Sequence, residues 1–72
     1  MLTFKIQIDE LHYSRKAVTT RMHKDIEEYA NDYNLEIRDS DYDDNWLVVK
    51  GESARLFYML SHLSFRYDIE II

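Results

Sequence analysis

The 72-residue sequence predicts an α+β sandwich of four antiparallel strands with two helices on one face. Three features point there. The chain opens on a polar–apolar alternation, and two later segments carry apolar residues at helical spacing. The stretches between and after those segments return to strand-like patterns, giving the order β-α-β-β-α-β.

Each element has its own reason. Leu2, Phe4, Ile6 and Ile8 alternate with Thr3, Lys5 and Gln7, as in a strand with one buried face. The alternation breaks after Ile8, and Ser14 is placed to cap a helix. Val18, Met22, Ile26, Tyr29 and Tyr33 then form the apolar stripe of that helix. Its stop is expected over Asn31 to Asn34, because Asn tolerates the left-handed backbone that ends helices. Leu35 and Ile37, alternating with Glu36 and Arg38, predict a second strand. Asp39 to Asn45 reads as a turn, and Trp46-Leu47-Val48-Val49-Lys50 closes a hairpin. Gly51, the only glycine, predicts a change of direction, and Ser53 is placed to cap a second helix. Leu56, Phe57, Leu60 and Leu63 share one face of that helix, with Met59 alongside. Tyr67, Ile69 and Ile71, alternating with Asp68 and Glu70, predict the last strand.

This order at this length is the pattern of a ferredoxin-like sandwich, a single domain over residues 1–72. Strands one and four are expected near the sheet centre, with two and three as a hairpin at one side. Parity assigns Leu2, Phe4, Ile6, Ile8, Leu35, Ile37, Trp46, Val48, Tyr67, Ile69 and Ile71 to the helix-covered face. It assigns Thr3, Lys5, Gln7, Glu36, Arg38, Leu47, Val49, Asp68, Glu70 and Ile72 to the open face.

The chain start lacks the basic and continuous apolar regions of a secretion signal, and no stretch approaches the ~18 apolar residues of a membrane span. With no cysteine there is no disulfide, thiolate metal site or cysteine nucleophile, and a cytoplasmic protein is the expectation.

Charge is the most informative feature. Residues 25–44 hold nine acids and the single base Arg38, a net −8, whereas the other 52 residues hold five acids and eight bases, a net +3. The acids Asp25, Glu28, Asp32, Glu36, Asp39, Asp41, Asp43 and Asp44, with Tyr33 and Tyr42 among them, are the candidate partner-binding residues. Trp46 is assigned to the core. Arg15, Lys16, Arg21 and Lys24 form a secondary basic patch at the start of the first helix. Cations there oppose the helix dipole, each at a cost of about 0.3–1 kcal/mol. The bland account of these charges is a solvated helix with pairs such as Arg21–Asp25 and Lys24–Glu28.

Candidate chemistry is sparse. The run of acids in residues 39–45 resembles a calcium loop, but Asp44 and Lys50 stand where the loop needs glycine and a bidentate glutamate. His12, His23 and His62 have no metal-ligand spacing; His23 is expected to face solvent and His62 to pack partly buried. No nucleophile elbow, phosphate-cradling loop or cofactor motif is present, so neither catalysis, a metal nor a cofactor is expected. RNA-recognition modules of this topology present aromatics on the open face, where parity here places none.

The sequence therefore predicts a small acidic binding protein without enzymatic activity, an inhibitor or regulator in the manner of phage-type nucleic-acid mimics. It would mask a basic, nucleic-acid-binding surface of a partner protein with residues 25–44. Two alternatives stand beside it. One is a self-associating module using Leu47, Val49 and Ile72 of the open sheet face or the hairpin edge. The other is a weak nucleic-acid binder using the basic start of the first helix.

Overall fold

A computed structural model describes all residues 1–72. The elements are β1 (Leu2–Ile8), α1 (Lys16–Asp32), β2 (Glu36–Asp41), β3 (Trp46–Gly51), α2 (Ser53–Arg66) and β4 (Ile69–Ile71). The four strands form one antiparallel sheet in the order β2-β3-β1-β4, so the α+β class and the element order agree with the sequence pattern. The centre is held by β1 and β3, with β2 and β4 at the edges, in place of the expected central pair of strands one and four. Each helix therefore links two parallel strands that have one antiparallel strand between them. No helix is long and apolar enough to cross a membrane.

The faces of β3 are the main correction. Ile6 pairs with Leu47 and Phe4 with Val49, and Leu47 and Val49 are fully buried. Trp46 and Val48 consequently lie on the open face, opposite Gln7 and Lys5, and the Lys5 ammonium sits 4.7 Å from the centre of the Trp46 ring. A run that is apolar at four successive positions carries no parity signal of its own. Its neighbours decide: Asn45 and Gly51 are both buried and share the inward parity of Leu47 and Val49.

One core of twelve residues joins the layers. Ile6, Ile8, Leu47 and Val49 come from the sheet, Met22, Ile26 and Ala30 from α1, Leu56, Met59, Leu60 and Leu63 from α2, and Leu35 from the link into β2. The buried stripe of α1 runs through Thr19, Met22, His23, Ile26 and Ala30. It is rotated relative to the expected Val18–Tyr29–Tyr33 stripe because the β2–β3 hairpin covers the Thr19 and His23 side. On α2 the buried set lacks Phe57, which is 56% exposed.

The helix ends also differ from the expected caps. Arg15 and Glu52 occupy the N-cap positions and neither makes a side-chain cap; Ser14 and Ser53 do not cap. The stop of α1 lies in the expected stretch. Asn34 adopts φ 60°, Leu35 N–H donates to Ala30 O at 2.7 Å and Asn34 N–H to Asn31 O at 3.1 Å. This is the paired closure of a left-handed helix end, and the Leu35 side chain beyond it enters the core. The strand β2 reaches Asp41, three residues further than expected. A register shift between Ile37 and Asp39 leaves Arg38 as the extra residue, and pairing to β3 overrides the poor strand propensity of Asp39-Ser40-Asp41.

Gly51 is needed for space. A Cβ there would collide with the Leu35 Cδ2 methyl group. Gly51→Ala requires only that the end of the Leu35 side chain turn aside, so it is expected to destabilise the fold by no more than about 1 kcal/mol. In a double-mutant cycle measured by urea unfolding, Leu35→Ala should absorb part of that cost; strict additivity would contradict the contact.

Candidate functional site

The acids of residues 25–44 separate into groups when traced onto the fold. On α1, Asp25 and Glu27 lie on opposite flanks. Asp25 is half-buried and accepts a short hydrogen bond from the Tyr67 hydroxyl. Glu27 turns to the hairpin, where both carboxylate oxygens accept from the Tyr42 hydroxyl at 3.1 and 3.2 Å. Glu28 and Asp32 are exposed on the same helix. Tyr33 is half-buried at its C-cap, with its ring stacked 6.0 Å from that of the exposed His62.

The second group belongs to the sheet. Pairing sets Glu36 opposite Lys50, Asp39 opposite Val48 and Asp41 opposite Trp46. The three carboxylate-bearing positions of β2 thus share the open face with the apolar pair Trp46 and Val48. Asp43 and Asp44 continue the charge around the exposed hairpin turn. This neighbourhood depends on the β1–β3 register, which turns Trp46 outward against the parity expectation.

The turn is self-supporting. Asp41 Oδ1 accepts from the backbone N–H groups of Asp43 and Asp44 at 2.9 and 3.0 Å, and these two bonds hold its carboxyl below the usual carboxylate range. Gln7 Nε2 donates to the carbonyls of Asp44 and Asn45 at 2.9 and 3.1 Å, fastening the turn to β1. Asn45 closes it at φ 58°. No three His, Asp or Glu side chains converge to hold a metal ion.

Few of these acids are neutralised. Asp43 pairs with Lys16 at 3.4 Å and Glu36 with Arg38 at 3.7 Å; the other ion pairs are His12–Asp68 and Arg55–Glu52. The expected Arg21–Asp25 and Lys24–Glu28 pairs do not form. Of the basic patch, Arg15, Lys16, Arg21 and Lys24 are all exposed, but Lys16 also donates to the Tyr42 carbonyl. The hairpin turn therefore lies against the start of α1. Its Asp43 carboxylate offsets the unfavourable placement of a cation at the positive end of that helix.

Beneath the turn lies a histidine that periodicity had placed in solvent. His23 is fully buried, its ring stacked on Tyr42 at 4.1 Å between centres and 16° between planes. Both ring nitrogens and Asn45 Oδ1 lack hydrogen-bond partners, although the Asn45 amide stands beside the ring. Burial pushes the imidazole below its ordinary 6.5, against the opposing pull of Asn45, Glu27 and Asp41; Lys16 adds to the depression. Tyr42 is shifted upward, first by burial and then by its bond to Glu27. The signal in the sequence was the position of His23, three residues before Ile26 and four after Thr19, on the side of the stripe that the hairpin covers.

At the other end, Tyr67 is shifted upward mainly by its bond to Asp25. Asp68 N–H donates to the Tyr13 hydroxyl at 3.0 Å, and Arg66 Nη1 donates to the Tyr29 hydroxyl at 2.9 Å. Tyrosine hydroxyls thus tie the C-terminal segment to α1 and to the β1–α1 loop. No family model, curated protein or solved structure matches the chain, so the surface and its chemistry carry the functional argument.

The buried His23 has a consequence for stability against pH. Its folded-state value lies below 6.5, so the unfolded chain takes up the proton first. Stability is then fully present above pH 6.5 and falls as pH drops below it, by at most about 1.4 kcal/mol per pH unit for one proton. His23→Phe keeps the stacked ring, removes two unpaired nitrogens and should match or exceed the parent in stability at pH 7. Urea unfolding between pH 6.5 and about 5.5 should show a flatter profile for this variant. An unchanged slope would contradict the assignment.

Proposed function

We propose that this chain is a small acidic binding protein without enzymatic activity, which masks a basic surface of a partner protein. The partner surface is one that otherwise contacts nucleic acid. One observation carries the reading: Glu36, Asp39 and Asp41 line up on β2 beside Trp46 and Val48, on an open sheet face that no helix covers. Asp39, Asp41 and Asp44 make no ion pair; Asp41 spends Oδ1 on the turn, and Asp39 and Asp44 leave their charge free to act on an approaching cation. An aromatic anchor bordered by unpaired charge combines a desolvated contact with electrostatic steering.

This narrows the acidic region. The face consists of Glu36, Asp39 and Asp41 with Trp46, bordered by Asp44 at the turn, while Asp43 pairs with Lys16 at the start of α1, Asp25 is occupied by Tyr67, and Glu28 and Asp32 are exposed on α1. A self-associating module on the open sheet face loses Leu47 and Val49, which are fully buried, and keeps only the exposed Ile72 and the hairpin edge.

Trp46, the only tryptophan, reports on this face directly. Titration with an arginine-rich peptide at low salt should give a saturable change in its emission, weakening as salt rises toward 0.5 M, where screening is about 4 Å. Replacing Asp39, Asp41 and Asp44 together with Asn should lower affinity on the order of tenfold, each exposed pair being worth roughly 0.2–1 kcal/mol. Undiminished binding by the folded triple variant would contradict the proposal. So would a stronger response to single-stranded oligonucleotide, which would favour base stacking on Trp46 beside Lys5 and Lys50.

A further inference from the structure

His23 is a buried titratable ring that takes no part in the acidic sheet face. It has no exposed surface, and neither of its ring nitrogens has a hydrogen-bond partner. Its cover is the hairpin turn, whose Tyr42 ring lies nearly flat on the imidazole. A neutral imidazole is buried there at the cost of its unmade hydrogen bonds. An imidazolium costs far more, because its charge and its two N–H donors need water or an anion. Uptake of a proton therefore requires that something around the ring move.

The turn is the element free to move. Residues 38–45 contribute no side chain to the twelve-residue core and none to the partly buried apolar set packed against it. What holds Tyr42 down is polar and partly solvated. Its hydroxyl donates to Glu27, its carbonyl accepts from the Lys16 ammonium, and the same ammonium reaches Asp43 at 3.4 Å. Contacts of this kind are weak one by one. The Asp41 bonds to the Asp43 and Asp44 N–H groups lie within the turn and move with it. Gln7 grips the carbonyls of Asp44 and Asn45, where the turn meets β3, and so marks the pivot.

The charged groups around the ring come from three elements. Glu27 and Lys16 belong to α1, and Asp41 and the Tyr42 phenol to the hairpin. Glu10 of the β1–α1 loop is held by the neutral Asn45 amide at 3.1 Å. Glu27 and Asp41 favour an imidazolium and Lys16 opposes it. Asp41 is committed to the turn backbone, which leaves Glu27, four residues after His23 and on the same flank of the helix. We infer that the hairpin turn is an acid-released flap: a proton on His23 draws Glu27 away from the Tyr42 hydroxyl, and Tyr42 lifts off the ring together with Asp43. Burial keeps the ring neutral near pH 7, so the flap is closed there. As pH falls below 6.5 the open form gains on the closed one by up to about tenfold per pH unit. The device needs only the fold, so it stands whether or not the masking role does.

Nuclear magnetic resonance on the full chain between about pH 7.5 and 5 tests it. The His23 and Tyr42 ring signals and the Asp43 and Asp44 amides should shift with one midpoint below pH 6.5, and cross-relaxation between the two rings should be lost. The amides of Ile6 and Leu47 in the central strands should stay in place. Tyr42→Phe keeps the stacked ring and frees Glu27, and Lys16→Met removes both a tether and a repelling charge. Each should raise the midpoint by roughly 0.2–0.7 of a pH unit, the worth of one exposed polar contact. In a Glu27→Ala chain, Tyr42→Phe should lose that effect. His23→Phe, with circular dichroism confirming its fold, should abolish the transition at Tyr42. A His23 titration that leaves Tyr42, Asp43 and Asp44 unmoved would overturn the inference, as would a Tyr42 transition that survives His23→Phe. So would a midpoint indifferent to Tyr42→Phe and Lys16→Met, or loss of the Ile6 and Leu47 signals at that same midpoint, which would make the event global unfolding.

Discussion

The pairing of β1 with β3 is the constraint on which the rest of the molecule depends. Setting Ile6 against Leu47 and Phe4 against Val49 fills the centre of the sheet with side chains that meet both helices. The same register turns Trp46 and Val48 to the opposite face and so creates the only aromatic position there. Because side chains alternate strictly along a strand, a slip of one residue would exchange the two sets completely. Core and candidate interface are two consequences of one pairing.

The hairpin between β2 and β3 links that register to the helix layer. Its turn is closed by Asp41 and Asn45 and fastened to β1 by Gln7. It is pressed onto α1 through Lys16, Glu27 and the stack of Tyr42 on His23. The acidic residues of the hairpin and of the helix beneath it have divided structural tasks. Asp41 builds the turn and Glu27 holds Tyr42, while Asp39 and Asp44 pair with no cation. Charge counting locates such a segment but does not separate these roles, which depend on which flank of a helix or face of a strand each residue occupies.

Much of the fold was legible in the sequence because the pattern there was clean. The period-two run of β1 and the Asn-rich stop of α1 are local signals, and both elements lie where those signals put them. The errors arose where local signals were absent or misleading. Four consecutive apolar residues in β3 carry no parity signal, so alternation counted from Trp46 puts Trp46 and Val48 inward where the pairing with β1 turns them outward. His23 stands at helical spacing from Thr19 and Ile26, but its burial depends on the hairpin that covers that flank of α1. At Gly51 the chain turns from β3 into α2, and the missing Cβ also leaves room for the Leu35 Cδ2 methyl group.

The same substitution at two neighbouring positions tests the register most directly. Val49 is fully buried and Val48 faces outward beside Lys5. Val49→Ala should therefore cost about 2 kcal/mol in urea unfolding, and Val48→Ala under about 1 kcal/mol. The reverse order of costs would mean that β3 presents its other face to the helices, leaving Trp46 in the core and the acidic row without its aromatic neighbour.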